Sequence, residues 1–284
     1  MGITAATKVA GVIGRPARHS LSPLLHNAWL EAAGINGAYV ALEATEEGFP
    51  HLIEGLRGGS LRGLNVTMPF KEAALAAADI ASERAARAGS ANVLVFRDDG
   101  LVAADNTDGV GLMRAFAVQA PSFDPAAAPV VVLGAGGAAR GAAAALLAAG
   151  APNVRLLNRT RARAQAIREA LGEAVAVYDW ADTFLAFSGA GAVVNATSLG
   201  LPGNDPLEVE LTGLTSGAAV MDMVYRPVRT PFLARAAAAG HPIVDGLEML
   251  IRQAEPAFAA FFGAPPPADL PVRGAILLAL GEVG

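Results

Sequence analysis

The sequence predicts an α/β protein of two domains with mainly parallel sheets, and three observations predict it. Short β-like runs alternate along the chain with Ala- and Leu-rich helical stretches, the pattern that lays helices on the faces of a parallel sheet. The 284 residues exceed the roughly 150 expected of one domain. Hydrophobic residues make up 53% and charged residues 17%, enough apolar side chain for a large core and too much for a disordered chain.

The elements follow in order. Lys8 to Ile13 is the first expected strand. A helix is expected from Ser22, whose hydroxyl caps it, with Pro23 at the first helical position and Gly34 past its end. Ala38 to Leu42 and Leu64 to Thr67 are further strands. Val93 to Phe96 and Leu101 to Ala104 flank Arg97-Asp98-Asp99-Gly100, a turn composition that predicts an antiparallel hairpin at the edge of a sheet. Between Ala120 and Pro129 several prolines break the periodicity, which reads as a loop leading into the second domain. Strands are then expected at Val130 to Leu133, Val154 to Leu157, Val175 to Val177, Ala192 to Asn195, Ala218 to Met223 and Ile243 to Val244, with helices in the gaps. The apolar helices from Gly246 onward have no strand to accompany them, so they are expected to return to the first domain.

Composition excludes several classes of function. Net charge is −5, and no run of Lys and Arg is long enough to track a phosphate backbone, so no nucleic-acid partner is expected. Without cysteine there is no disulfide, thiolate zinc site or cysteine nucleophile. His19, His26, His51 and His241 lack metal-ligand spacing, and no metal is expected. His19 reads as a loop-ordering residue and His26 as a hydrogen bonder on a helix face. A membrane span needs about 20 apolar residues. The uncharged stretch from Thr183 to Asn204 is interrupted by Ser188, Asn195, Thr197, Ser198 and Pro202. Met1 to Gly14 has no basic region ahead of its weak apolar stretch, so a cytoplasmic protein without a membrane partner is expected.

The second domain opens on a strand, a glycine turn and a helix: Val130 to Leu133, then Gly134-Ala135-Gly136-Gly137-Ala138-Ala139-Arg140. A dinucleotide pyrophosphate needs backbone N–H groups without side chains in the way, at a helix N-terminus whose partial positive charge offsets the anion. Gly134 and Gly136 supply the turn and the close approach, and Ala139 stands at the third glycine position. The next strand ends at Leu157-Asn158-Arg159-Thr160, where an acid would hold a free ribose, and there is no acid. Arg159, Thr160 and Arg163 offer two guanidinium groups and a hydroxyl, which suit a 2′-phosphate. A solvated basic helix start is the bland alternative. Cations at a helix N-terminus oppose its dipole, which argues for a bound anion and for NADP(H) over NAD(H).

The first domain carries polar clusters at strand ends: His19 to Pro23, Asn65 to Lys71, Gly89 to Asn92 and Asp105 to Gly109. Hydroxyls and amides predominate, the equipment for reading a small polyhydroxylated molecule by directional hydrogen bonds. With these runs, Gly14-Arg15-Pro16, His26-Asn27, Asn195-Ala196-Thr197-Ser198, and Asp245-Gly246-Leu247 through Gln253, the chain resembles the shikimate dehydrogenases, in order and over nearly its whole length.

The resemblance implies NADPH-dependent reduction of 3-dehydroshikimate to shikimate. It implies a substrate-binding catalytic domain, residues 1–107 plus 246–284, and a Rossmann-like NADP-binding domain, residues 108–245, with the active-site cleft between them. Lys71 and Asp108 fall on the family's catalytic pair. Ser20 and Ser22 fall on the carboxylate contacts, Asn65, Thr67, Asn92 and Gln253 on contacts to ring hydroxyls, and Tyr225 on a contact near the carboxylate. Gly134, Ala135, Gly136, Gly137, Ala138, Asn158, Arg159, Thr160, Arg163, Thr197, Met223 and Gly246 fall to the cofactor, with core the plainer reading for Met221 and Met223.

Reduction of a carbonyl leaves an alkoxide to be protonated, and Lys71 is the general acid in reach of that task. Burial would lower its pKa and Asp108 would raise it, so the sequence leaves open whether Lys71 transfers the proton or only stabilises charge. A surface salt bridge is the bland reading of the pair. A quinate/shikimate dehydrogenase and a non-catalytic NADPH-binding regulator are the competing functions, and the chain is expected to be a monomer or homodimer.

Overall fold

The computed structural model describes residues 2–282, so the ends of the expected domain range at Met1, Val283 and Gly284 lie outside the described residues. The chain forms two compact units: one runs to Thr107 and resumes at Gln253, and the other is Asp108–Arg252.

The first unit carries a six-stranded sheet. Its strands are β1 (Lys8–Gly14), β2 (Gly37–Glu43), β3 (Leu61–Val66), β4 (Ile80–Ala81), β5 (Val93–Phe96) and β6 (Val102–Asp105), in the order β2-β1-β3-β5-β6-β4. All neighbours are parallel except β5, which is antiparallel to both β3 and β6. The expected hairpin forms, but it does not close the sheet, because β4 pairs with the outer side of β6. Two residues carry no period, so β4 had no signature in the sequence. β3 begins three residues earlier than expected and stops at Val66, leaving Thr67 in the following turn.

Helices α1 (Ser22–Ala32), α2 (Gly48–Gly55), α3 (Lys71–Ala76) and α4 (Glu83–Ala88) connect these strands. One side of the sheet buries Ile13, Leu64, Val66, Leu94 and Phe96 against Phe49 and Ile53 of α2 and against Phe70. The rings of Phe49 and Phe70 stack at 4.6 Å. Elsewhere in the unit Trp29 of α1 meets Phe258 edge to face at 5.5 Å. Phe258 belongs to α10 (Gly246–Phe262), whose last ten residues group with the first unit, while Gly246 to Arg252 group with the second, so the division falls seven residues later than the expected one at Gly246. α11 (Val272–Leu280) follows in the same unit.

The second unit is a fully parallel sheet of β7 (Val130–Leu133), β8 (Val154–Leu157), β9 (Val175–Tyr178), β10 (Ala192–Asn195), β11 (Ala219–Asp222) and β12 (Ile243–Val244). Its order is β12-β11-β10-β7-β8-β9, the doubly wound arrangement in which the strand order reverses between β7 and its neighbour β10. Both faces are covered, which is why the strands read as continuous apolar runs. Val130 and Val132 face α5 (Asp108–Gln119) and α6 (Gly137–Ala148). Val131 and Leu133 face Phe187 of α8 (Thr183–Phe187) and Phe232 of α9 (Pro231–Ala238). Each such side chain, wholly buried, contributes about 1.5–3 kcal/mol. The segment from Ala120 to Pro129 does not lead into this unit but lies inside it: α5 precedes the segment, and Phe123 packs on Phe116 at 4.4 Å. Proline content marked a loop correctly but not a boundary.

Candidate functional site

Two groups of polar residues gather at strand ends, one in each unit. In the first unit, the end of β3, the start of β5 and the end of β6 lie side by side because β5 runs antiparallel between the other two. That places Asn65, Asn92 and Thr107 together. Asn65 is buried; its Oδ1 accepts the Tyr39 hydroxyl at 2.7 Å and its Nδ2 donates to the Asn92 carbonyl at 3.2 Å. Asn92, also buried, accepts the Thr107 N–H at 2.8 Å and donates from Nδ2 to Gln253 Oε1 at 3.0 Å. Four residues from four parts of the chain thereby form one network of neutral donors and acceptors, with Gln253 delivered by α10. Lys71 opens α3 directly after the Thr67 turn, and its carbonyl accepts the Ala91 N–H at 2.8 Å, tying it to the loop that carries Asn92. Thr67 and Lys71 are only half-buried.

The start of α1 differs from expectation. Ser22 does not cap the helix: Leu21 occupies the capping position with helical dihedrals (φ −83, ψ −9), Ser22 is already the first helical residue and Pro23 the second. A cap needs an extended backbone for its oxygen to reach the next N–H groups, and Leu21 does not provide one. Ser20 serves the helix start instead, its Oγ accepting the Ser22 N–H at 3.2 Å. Ser22 is buried, and its hydrogen bonding to the Tyr39 phenol lowers that group's pKa against the larger raising effect of burial.

Both histidine expectations in this region fail. His19 is exposed and makes no side-chain hydrogen bond among the described residues, so it orders nothing. His26 is fully buried and neither ring nitrogen has a hydrogen-bond partner. It lies flat on Tyr39, ring centroids 4.0 Å apart and planes 9° from parallel, and burial pushes its pKa down to about 3. The imidazole is a neutral aromatic packing unit. Asp105 is likewise structural. Burial raises its pKa, but hydrogen bonds from Arg84 at 2.6 Å and Ser82 at 2.6 Å outweigh that and hold the carboxyl below its ordinary value.

In the second unit the switch point between β7 and β10 carries the glycine turn. Gly134 has φ +109, and a Cβ there would stand 3.0 Å from the Ala196 carbonyl at the end of β10, so only glycine fits. Gly136 is the extended residue before α6, and a Cβ on it would meet nothing within 4 Å. The turn Ala135-Gly136-Gly137-Ala138 thus offers bare backbone at the N-terminus of a 12-residue helix, a cradle that fits a pyrophosphate. Ala139 is wholly buried against the sheet.

Past β8, Asn158 donates to the Thr160 carbonyl at 2.8 Å and shapes the turn into α7 (Arg161–Leu171). Thr160 occupies the capping position, yet its hydroxyl makes no cap bond. Of the arginines there, Arg161 pairs with Asp179 at 2.7 Å, whereas Arg159 and Arg163 are exposed and form no side-chain ion pair among the described residues. Two uncommitted guanidinium groups and a hydroxyl at a helix start suit a 2′-phosphate.

At the ends of β10 and β11, Asn195 donates to the buried Asp222 at 2.9 Å and accepts the Thr197 N–H at 3.0 Å. Asp222 also accepts from Thr230 at 2.7 Å and from the Val224 N–H at 3.0 Å. Met221 is core and Met223 half-buried beside it, in agreement with the plainer reading. Gly246 has a packing reason of its own, since a Cβ would fall 2.3 Å from the Met223 carbonyl. Tyr225 is half-buried, and burial raises its phenol pKa. Asp108 opens α5. Tyr39, Asp222 and Thr230 were missed by sequence reasoning. The lone acid in Ala219–Asp222 was a usable signal; Tyr39, an aromatic in a strand, gave none.

Among the described residues, no helix is long and apolar enough to cross a membrane. Residues 12–94 match the family model "Shikimate dehydrogenase substrate binding domain" and residues 118–202 the model "Shikimate / quinate 5-dehydrogenase". The chain is 55% identical over 281 residues to a shikimate dehydrogenase (NADP(+)) of Caulobacter vibrioides, covering 99% of each chain. It is similar to the structure of shikimate 5-dehydrogenase from Thermus thermophilus in complex with NADP(H) and shikimate, with 37% identity, TM-score 0.80, and 91% and 95% of the two chains covered. It is also similar to quinate dehydrogenase from Corynebacterium glutamicum in complex with NAD, with 30% identity, TM-score 0.84, and 92% and 95% covered.

Proposed function

The chain belongs to the shikimate dehydrogenase family, and from that premise we propose how its residues divide the work of reducing 3-dehydroshikimate reversibly to shikimate with NADPH. The step lies on the route to chorismate and the aromatic amino acids. NADPH, when bound, supplies the hydride. The domain that holds it is residues 108–245, through the Gly134–Ala138 backbone on the pyrophosphate and through Asn158, Arg159, Thr160 and Arg163 on the adenosine 2′-phosphate and ribose. Thr197, Met223 and Gly246 border the nicotinamide.

The domain of residues 1–107 plus 246–284 holds the substrate. Ser20 and Ser22 take the carboxylate with Tyr225, and Asn65, Thr67, Asn92 and Gln253 take the ring hydroxyls. Lys71 carries the positive charge and the proton to the carbonyl oxygen as it becomes an alkoxide, and Asp108 accepts from the neighbouring hydroxyl. The observation that carries this reading is the buried Asn65–Asn92–Thr107–Gln253 network, which fixes several neutral donors and acceptors in one place beside Lys71. Ring hydroxyls need that array, and an apolar ring would waste it. The protein acts in the cytoplasm as a monomer or homodimer.

The similarity to a quinate dehydrogenase supports a second reading, quinate oxidation with NAD. Arg159 and Arg163 speak against it, because a free ribose 2′-hydroxyl gives two guanidinium groups nothing to neutralise. Absorbance of NADPH and of NADH, followed with shikimate and with quinate, separates the readings. Turnover is expected with shikimate and NADP. Turnover confined to quinate and NAD overturns the proposal, and no turnover with any pair leaves a binding protein.

A further inference from the structure

We propose that Tyr39 is a positioning residue for substrate recognition, holding Ser22 and Asn65 in one geometry through its hydroxyl while His26 and Asn27 fix its ring and backbone. The inference rests on the proposed roles of Ser22 and Asn65. Tyr39 sits in β2 and is 2% exposed. Its backbone is clamped twice by one side chain: the Tyr39 N–H donates to Asn27 Oδ1 at 2.9 Å, and Asn27 Nδ2 donates back to the Tyr39 carbonyl at 2.8 Å. Its ring lies on His26 at 4.0 Å. Its hydroxyl donates to Asn65 Oδ1 at 2.7 Å and accepts from Ser22. Asn27 and His26 both come from α1, the helix that Ser22 begins, and Asn65 comes from β3.

The consequence for Asn65 is a fixed amide orientation. An amide has an oxygen that accepts and a nitrogen that donates, and rotation by half a turn exchanges them. With Tyr39 donating to Oδ1 and the Asn92 carbonyl accepting from Nδ2, only one orientation satisfies both neighbours, and the second N–H of Nδ2 remains for a substrate oxygen. The consequence for Ser22 is a fixed Oγ position. Its proton rests on the phenol oxygen until a carboxylate arrives, and a charged acceptor outcompetes a neutral one by about twofold in strength. The hydroxyl proton turns while Oγ stays in place. Burial raises the phenol pKa well above its ordinary value, so Tyr39 remains a donor throughout.

A purely structural tyrosine would serve stability alone, and phenylalanine would replace it at the same ring position. The test is therefore steady-state kinetics of shikimate oxidation with NADP for Tyr39→Phe, His26→Ala and His26→Phe, beside melting curves. Tyr39→Phe is expected to raise the KM for shikimate about 10-fold, with kcat and the KM for NADP within about twofold of the original, because one neutral hydrogen bond and its orienting effect are lost. In an Asn65→Ala background the same change adds less than about twofold, since the oriented amide is gone. His26→Ala keeps the phenol but removes the ring beneath it, and raises the shikimate KM about threefold. His26→Phe restores the stack and the KM.

Unchanged shikimate KM in Tyr39→Phe, whatever its melting temperature, overturns the inference. If Tyr39→Phe does not fold, an unchanged KM in His26→Ala does so. Activity of the unaltered enzyme with shikimate separates this outcome from failure of the underlying function: an active enzyme without the KM shift sinks the inference alone, and an enzyme inert with shikimate sinks both.

Discussion

The two polar regions solve recognition in opposite ways. In the second unit, the glycine turn is a single run of backbone from Gly134 to Ala138, and Arg159 and Arg163, proposed to act by charge, lie exposed at one helix start. In the first unit, Asn65, Asn92, Thr107 and Gln253 are buried side chains that orient one another across up to 161 residues of chain. The difference follows from the ligands. A pyrophosphate and a 2′-phosphate are strong anions that any well-placed donor attracts, so local sequence suffices. The ring hydroxyls of the proposed substrate offer only directional hydrogen bonds, each worth about 1 kcal/mol, so their partners must be held rigid by tertiary contacts.

The severest challenge to this contrast is at Lys71, which with Asp108 is one of the two charged groups proposed to act on the polyol. Lys71→Met should lower kcat by a factor of about 10²–10⁴ with a smaller change in shikimate binding, because its charge is needed where charge develops in the transition state. Near-normal turnover would move the proton donor elsewhere. Next in size is the exposed cation: Arg159→Ala should raise the KM for NADP by about one to two decades and affect NAD much less. Equal losses with both cofactors would mean that the guanidinium group is only a solvated surface charge.

Ser22→Ala sharpens the distinction further. Because the serine hydroxyl makes no helix cap, the substitution should spare the roughly 1 kcal/mol that a lost cap costs and instead raise the shikimate KM several-fold. A drop in melting temperature with unchanged KM would reverse that assignment. The last test concerns His26, lies outside catalysis, and is read by denaturant unfolding across pH. Its pKa is about 3 folded against an ordinary 6.5, so between these values the unfolded chain binds the extra proton. This histidine's contribution to stability is therefore full above about pH 6.5 and declines as pH falls, by about 1.4 kcal/mol per pH unit, toward about 3. His26→Phe should flatten that slope, and an unaltered slope would mean the imidazole is not held neutral.

The strands of the second unit were legible almost to the residue, since each is a short, mainly apolar run bounded by turn residues, and the central ones, β7, β10 and β11, are buried throughout. β4 was not, because two exposed residues in the first unit hold their place only through pairing with β6. The same division runs through the candidate site. Glycines 134 and 136 and the arginines after β8 could be proposed for the cofactor from spacing alone. Ser22 was readable as a residue but not as to its bond, because Leu21's helical backbone decided that. Tyr39 escaped notice, since an aromatic in a strand looks like core until its hydroxyl is seen to meet Asn65.

By itself the sequence determined the α/β class, the glycine turn, the basic start of α7 and the motifs that fix the family, because all of these depend on neighbours within a few turns or strands of chain. Only the tertiary structure decided which amides face one another, that His26 is a neutral ring and not a hydrogen bonder, that Asp105 is consumed by Arg84, and that the division between the units falls inside α10, at Gln253. The physical reason is the same in each case. Period and propensity are properties of short segments, whereas the partner of a buried polar group is set by which distant segment the fold brings within about 3 Å of it.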